Sequence, residues 1–136
     1  MKKVLFVCVE NSCRSQMAEA FAKIDGQDVI ESHSAGSRAS GRVNEKAIKS
    51  MREIGYDLSV NRSKSLHDIP AIEYDFAITM GCGDECPNIR AKQREDWAIP
   101  DPKNMNNKEF NKIRDLIREK ILAFIDTLNI EGRDTR

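Results

Sequence analysis

The sequence predicts an α/β domain with a four-stranded, open parallel sheet flanked by helices on both faces. Short β-branched apolar segments alternate with segments of helical periodicity, and the order strand, loop, helix begins at the first residues. A length of 136 residues suits one domain, because it can bury an adequate core but is short for two. We therefore expect a single catalytic domain over residues 1–131 and a frayed tail over 132–136.

The predicted strands are short, and the predicted helices are amphipathic. Strands are expected at 3–7, 29–34, 74–80 and 96–99. Helices are expected at 15–26, 44–55 and 110–128, the last with apolar residues at three- and four-residue intervals. Because ligands in such folds bind beyond the carboxyl ends of the strands, we expect the functional site at that edge of the sheet.

The charge composition argues against nucleic acid or a membrane as partner. Twenty-two basic residues balance 22 acidic ones, and no segment concentrates positive charge. No apolar run approaches the ~20 residues of a bilayer span, and the amino terminus lacks a signal-peptide pattern. We expect a cytoplasmic monomer that acts on a small or diffusible partner. Its four cysteines would be reduced there, and would serve as reactive, metal-binding or buried thiols.

The loop after the first strand carries the strongest functional signal. Cys8 ends that strand, and Arg14 stands where the first helix begins. Backbone N–H groups and the helix dipole would converge on this loop, which suits an oxyanion and favours the nucleophilic thiolate of a cysteine. A guanidinium can bind two oxygens of a tetrahedral anion at once. The predicted oxyanion-binding loop comprises Glu10, Asn11, Ser12, Cys13, Arg14 and Ser15.

The segment from Val7-Cys8 through Asn11-Ser-Cys-Arg-Ser-Gln-Met-Ala-Glu19 resembles the phosphate-loop signature of low-molecular-weight protein tyrosine phosphatases and the arsenate reductases of that family. The resemblance extends to Ser34-Ala-Gly36 and to Asp101-Pro102, so it covers nearly the whole chain. It implies a low-molecular-weight phosphatase-like fold. Cys8 would be the nucleophile, Arg14 the anion-binding side chain and Asp101 the general acid.

The same resemblance suggests supporting residues for the loop. Asn11, Ser15 and Ser34 would hold its shape, and Ser15 can donate its hydroxyl to the Cys8 sulfur. In some relatives Asn11, Glu19 and Ser34 match ligands of a structural potassium ion, together with an acidic residue near position 64. This chain has Lys64 there. We therefore expect the lysine ammonium to replace the cation and activity to be independent of potassium.

A second pair of cysteines, Cys82 and Cys86, follows the third strand. These thiols favour the arsenate reductases within the family: Cys8 attacks arsenate, Cys82 attacks Cys8 and releases arsenite, and Cys86 attacks Cys82. No cofactor would be bound, and thioredoxin, or glutaredoxin with glutathione, would restore the thiols. Phosphate and sulfate would compete with arsenate. The three-residue interval between Cys82 and Cys86 is short for thioredoxin-coupled members, so the order of disulfide exchange and the electron donor stay open.

Three other functions remain as alternatives. A phosphatase would hydrolyse phosphomonoesters through a Cys8 phosphocysteine, although Lys103-Asn104 replaces the tyrosine-rich continuation that typically frames an aromatic substrate. A zinc site would use all four cysteines, but their spacing lacks a firm zinc-ligand pattern, and we predict no metal. A binding module would sense oxyanions without turnover. Cys13 is interpreted as a structural thiol or a site of accidental oxidation.

Overall fold

The computed structural model of the protein describes residues 1–81 and 89–134. At its centre lies a four-stranded sheet with strand order β2-β1-β3-β4, in which all neighbours are parallel. The strands are β1 (Lys2–Cys8), β2 (Ile30–Gly36), β3 (Tyr74–Thr79) and β4 (Ala91–Asp96). This arrangement confirms the predicted α/β class and its four-stranded parallel sheet.

The strand register brings the carboxyl ends of all four strands to one edge of the sheet. Cys8 pairs with Gly36 on β2, and Thr79 on β3 pairs with both Val7 and Asp96. Residues 4–7 of β1 are fully excluded from solvent, because the strand is central and covered on both faces. The loops that follow the strands, including the one after Cys8, therefore meet at the same edge.

The fourth strand differs from its prediction. The sequence pattern places it at 96–99, whereas the ladder to β3 runs through Ala91–Asp96. Five of the six residues of β4 are exposed, because this strand lies at the edge of the sheet, so it lacks the apolar pattern of a buried strand. Trp97 and Ile99 carry an apolar signal because they are buried just beyond the end of the strand.

Three helices pack on one face of the sheet: α1 (Arg14–Asp25), α2 (Glu45–Arg52) and α3 (Asn107–Asp134). Their apolar side chains share one core cluster with Phe6 of β1 and Ile78 of β3. The Asn44 side chain accepts a hydrogen bond from the Lys46 N–H and so caps the start of α2. No helix in the described ranges is long and apolar enough to cross a membrane.

The opposite face of the sheet is covered by irregular chain. Leu5, Val7 and Ala77 belong to a second apolar cluster, against which Leu66, Ile69 and Ile72 pack. Across residues 1–81 and 89–134 this face carries no α-helix. The sequence predicts helices on both faces, whereas the helices in these ranges lie on the other face. The covering segment contains Pro70 and a turn in which the Asp68 carboxylate accepts the Ser65 N–H, and both features oppose helix formation.

Candidate active site

A cavity of about 260 Å³ opens at the carboxyl edge of the sheet, beside Cys8. One water occupies about 30 Å³ in the liquid, so this volume accommodates a tetrahedral oxyanion. The residues that line the cavity are Cys8, Val9, Glu10, Ser12, Cys13, Arg14, Asp101 and Lys103. The fold thus brings the candidate nucleophile, the candidate general acid and most of the predicted oxyanion-binding loop around one space.

The loop between β1 and α1 turns several of its carbonyl groups outward, where they accept backbone hydrogen bonds. The accepting carbonyls and their donors are Cys8 with Ser37, Val9 with Arg38, Glu10 with Ser40, and Ser12 with Asn44. The backbone N–H groups of residues 10–15, in contrast, donate to no acceptor in the part of the chain that the structure describes. Since α1 also begins at Arg14, its dipole adds positive potential. Unpaired N–H groups at a helix start are a general solution for binding an oxyanion.

Asn11 connects the shape of this loop to the Cys8 thiol. Asn11 is fully buried, and its φ of +50° lies in the left-handed region that Asn tolerates. Its side-chain oxygen accepts hydrogen bonds from the Lys64 N–H at 2.7 Å and from Gln16 Nε2 at 2.8 Å. Its Nδ2 donates to Ser15 Oγ at 2.7 Å, and Ser15 Oγ lies 2.9 Å from Cys8 Sγ. Because Ser15 Oγ accepts from Asn11, its own hydrogen is free to stabilise a thiolate at Cys8.

The guanidinium of Arg14 is buried and held by the backbone. Arg14 Nη1 donates to the carbonyl oxygens of Met80 and Ile99, the latter at 3.1 Å. Gly81 lies against this group, since a Cβ added at Gly81 would stand 2.9 Å from Arg14 Nη1. Arg14 Nη2 lies 3.8 Å from Asp101 Oδ2. The positive group is therefore positioned before an anion binds, which reduces the entropy cost of binding.

Asp101 lies at the exposed mouth of the cavity. Its side chain is 55% exposed, and Oδ1 accepts a hydrogen bond from the Lys103 N–H at 3.0 Å. The 3.8 Å between Oδ2 and Arg14 is too long for a direct hydrogen bond. One carboxyl oxygen is therefore anchored, while the other faces the side of the cavity that holds the guanidinium.

Cys13 is the second described thiol in the loop, and it is buried at the start of α1. Burial raises the pKa of the Cys13 thiol to about 12, and the Ser12 hydroxyl offsets this only in part. At neutral pH Cys13 is therefore a neutral thiol and a poor nucleophile. This chemistry agrees with its interpretation as a structural residue.

Behind the loop, the buried carboxylate of Glu19 is compensated by two side chains. Ser34 Oγ donates to Glu19 Oε1 at 3.2 Å, and Lys64 Nζ lies 3.6 Å from the same oxygen. Because the Lys64 N–H also binds Asn11, this lysine joins the buried charge to the loop. The Lys64 ammonium thus lies beside the Glu19 carboxylate, where the sequence predicts that it replaces a potassium ion. Over the described ranges, no three His, Cys, Asp or Glu side chains are grouped to hold a metal ion.

The predicted resolving cysteines, Cys82 and Cys86, lie outside the described residues. Gly81, which directly precedes Cys82, donates its N–H to Asp96 Oδ1 at 3.2 Å and contacts the Arg14 region. The chain therefore enters this segment from the sheet edge that carries Cys8.

Two contributors to the site are absent from the sequence-based predictions. Gln16 Nε2 donates to Asn11 Oδ1 and also to the Arg62 carbonyl at 3.0 Å, so it joins the loop to a distant segment. Its place inside the quoted signature, as a polar residue on the buried start of a helix, was the available signal. Lys103 Nζ lies 3.2 Å from Glu10 Oε1 across the cavity mouth. The signal in the sequence was that Glu10 and Lys103, which carry opposite charges, follow the ends of β1 and β4. Their separation in the sequence does not specify a contact.

Comparison with known proteins agrees with this geometry. Residues 3–134 match the family described as low molecular weight phosphotyrosine protein phosphatase. The chain is 41% identical over 124 residues to a glutaredoxin arsenate reductase of Synechocystis sp., covering 89% of this chain and 94% of that protein. It is 38% identical over 127 residues to arsenate reductase 1 of Staphylococcus epidermidis, covering 90% and 95%. A solved structure of an arsenate reductase in the phosphate-binding state superposes with a TM-score of 0.84 at 39% identity, covering 94% of this chain and 99% of that one. The fold and these similarities show that the chain belongs to the low molecular weight phosphotyrosine protein phosphatase family.

Proposed function

We propose that this protein reduces arsenate to arsenite with its own thiols. The observation that carries the proposal is the single cavity around which Cys8, the unpaired N–H groups of its loop and Arg14 are assembled. Relatives and a structural neighbour that are named arsenate reductases, at 38–41% identity over most of the chain, support arsenate as the substrate. Phosphate and sulfate are tetrahedral oxyanions as well, so both should compete for the cavity.

In the first step, the Cys8 thiolate attacks arsenic. A sulfur–arsenic bond forms, and one arsenate hydroxyl departs as water after Asp101 supplies a proton. The loop N–H groups and Arg14 stabilise the negative charge on the remaining oxygens. The Ser15 hydroxyl, 2.9 Å from Cys8 Sγ, supports the thiolate before attack.

In the second step, Cys82 attacks the sulfur of Cys8. A Cys8–Cys82 disulfide forms, the sulfur–arsenic bond breaks, and its electron pair stays with arsenic, which leaves as arsenite. Arsenic gains two electrons, and the two thiols lose two. Cys86 then attacks Cys82 and frees Cys8, which leaves a Cys82–Cys86 disulfide. This relay rests on the cysteines of the sequence and their position after β3.

An external dithiol system must return two electrons and two protons in each turnover. Thioredoxin is one candidate, because a second pair of thiols, Cys82 and Cys86, follows the third strand, although their interval is shorter than in most thioredoxin-coupled members. Glutaredoxin with glutathione is the other, and the relative from Synechocystis carries glutaredoxin in its name. The thiols themselves carry the electrons, so the relay needs no bound cofactor. Because such donors maintain reducing conditions in the cytoplasm, we place the reaction there.

Phosphomonoester hydrolysis through a Cys8 phosphocysteine is the second candidate, because the matching family is described as a phosphotyrosine phosphatase. The same cavity would bind phosphate. Its lining, however, offers little to an aromatic substrate: none of the described residues around it is aromatic, and Lys103 follows Asp101-Pro102. We therefore expect phosphatase activity to be residual.

Arsenate-dependent oxidation of NADPH tests the proposal. The protein would be assayed with thioredoxin and its reductase, and separately with glutaredoxin, glutathione and glutathione reductase. Hydrolysis of p-nitrophenyl phosphate would be measured in parallel. We expect arsenate-dependent oxidation with at least one donor, and its loss in Cys8→Ser and in Cys82→Ser. Hydrolysis without arsenate-dependent oxidation under either donor would instead identify a phosphatase.

A further inference from the structure

An ion pair spans the mouth of the anion cavity. Lys103 Nζ lies 3.2 Å and 3.4 Å from the two carboxylate oxygens of Glu10. Glu10 belongs to the loop after β1, and Lys103 belongs to the segment that carries Asp101, so the pair joins two sides of the cavity. We propose that this ion pair is a steric barrier that determines substrate specificity: it admits small inorganic oxyanions to Cys8 and excludes organic phosphate esters. The inference deepens the proposed function and rests on it.

Both residues have fixed backbones. Ser63 Oγ donates to the Glu10 carbonyl at 2.7 Å, which ties the loop to the chain beyond α2. The Lys103 N–H donates to Asp101 Oδ1 at 3.0 Å, and the Lys103 carbonyl accepts from Lys46 Nζ at 3.3 Å. Since the backbone is already ordered on each side, formation of the pair costs mainly side-chain entropy.

The ion pair stands between two cavities. The anion cavity of about 260 Å³ adjoins a second cavity of about 300 Å³, and both are lined by Glu10, Ser12 and Lys103. Residues 42–45 contribute to the second cavity and not to the first. An inorganic oxyanion needs only the inner space, whereas the organic group of an ester would need to extend past the pair. Binding of an ester would therefore require the ion pair to open.

The charges of the pair have a second effect. An uncompensated Glu10 carboxylate in an oxyanion-binding loop would repel a dianion, and Lys103 neutralises it. The two side chains are 39% and 49% exposed, so salt should weaken their attraction. Removal of Glu10 should therefore strengthen the binding of all anions, and that of esters most. Removal of Lys103 alone should weaken the binding of inorganic anions.

The test compares two probes that the protein cannot cleave, inorganic phosphate and phenylphosphonate. Each probe should protect Cys8 from alkylation by iodoacetamide, and tandem mass spectrometry would measure the alkylated fraction. The dependence of that fraction on probe concentration yields a dissociation constant without any reduction of arsenate. In Glu10→Ala we expect the affinity for phenylphosphonate, relative to phosphate, to rise by about tenfold. In Lys103→Gln we expect phosphate to bind about fivefold more weakly. The exchange Glu10→Lys with Lys103→Glu re-forms the pair and should restore the wild-type preference.

Lys92→Gln provides the matched control. Lys92 pairs with Asp75 at 3.3 Å, where β3 and β4 begin, at the end of the sheet opposite the cavity. The substitution removes an exposed lysine from an ion pair and should change neither affinity. An unchanged affinity for phenylphosphonate relative to phosphate in both Glu10→Ala and Lys103→Gln would overturn the proposal. If Glu10→Ala does not fold, the same relative affinity in Lys103→Ala tests whether the ion pair excludes esters. A wild-type protein without arsenate-dependent NADPH oxidation would refute the reductase, yet would leave this binding comparison interpretable.

Discussion

The substitution Gly81→Ala would place a methyl group against the guanidinium of Arg14. The φ of Gly81 is +77°, and its Cβ would stand 2.9 Å from Arg14 Nη1 and 3.2 Å from the Ile99 carbonyl oxygen. A left-handed backbone costs an L-residue about 1–2 kcal/mol, so the free energy of unfolding should fall by at least that amount. The nearest atom is the end of a long side chain, which can move while the protein stays folded.

Movement of that side chain should weaken anion binding. Arg14 Nη1 is held by the carbonyls of Met80 and Ile99, and its displacement turns the rest of the guanidinium out of position. A lost hydrogen bond to a charged group costs about 1.5–3 kcal/mol. The dissociation constant of phosphate should therefore rise by about 10- to 150-fold.

Gly55→Ala is the matched control for this prediction. The φ of Gly55 is +88°, and no atom lies within 4 Å of its added Cβ. Urea unfolding would measure stability, and protection of Cys8 from iodoacetamide by phosphate would measure binding. Gly81→Ala should lose at least as much stability as Gly55→Ala, and only Gly81→Ala should lose affinity. Equal phosphate affinity in the two variants would refute the dependence of Arg14 on Gly81.

Four further predictions concern three residues near the loop: Lys64, Cys13 and Asp101. Lys64→Ala should leave the buried Glu19 carboxylate without its cation and lower the free energy of unfolding in urea by about 2 kcal/mol, less than for a fully buried pair. With Lys64 present, arsenate-dependent activity should be equal in potassium and sodium chloride, and a strong gain in potassium would contradict the role of the ammonium. Because the folded pKa of Cys13 is raised from 9.0 to about 12, its contribution to stability is complete below pH 9.0 and is lost as pH rises toward 12. Between pH 9.0 and 12 the free energy of unfolding in urea should therefore fall more steeply with pH for wild type than for Cys13→Ser, and equal slopes would contradict this. Asp101→Asn should slow arsenate reduction by about 10²- to 10⁴-fold while phosphate still protects Cys8, and an unchanged rate would exclude Asp101 as the acid.

Most of the fold is predictable because burial and secondary structure coincide along most of the chain. β1 is continuously apolar since residues 4–7 are covered on both faces, and α3 repeats apolar residues on its buried side. They do not coincide at β4, whose paired residues are exposed, while the buried Trp97 and Ile99 lie outside the ladder. Hydrophobic patterns report burial and carry no information about backbone pairing at a sheet edge.

The site shows the same division. Cys8 and Asp101 follow the carboxyl ends of parallel strands, so their approach to one edge can be inferred from the order of elements alone. Contacts made by long side chains cannot be inferred in that way. The ion pair of Glu10 and Lys103 depends on how far each chain reaches over the cavity, which no local periodicity encodes.

A single turnover without any electron donor tests the proposed reductase most directly. Fully reduced protein, freed of small thiols, would be mixed with excess arsenate, and arsenite and free thiols would be counted in the same sample. We predict about one arsenite per chain with the loss of two thiols, since one disulfide forms for each two-electron reduction. Neither change should occur in Cys8→Ser. Absence of arsenite from a protein that binds phosphate at Cys8 and hydrolyses p-nitrophenyl phosphate would contradict the proposal.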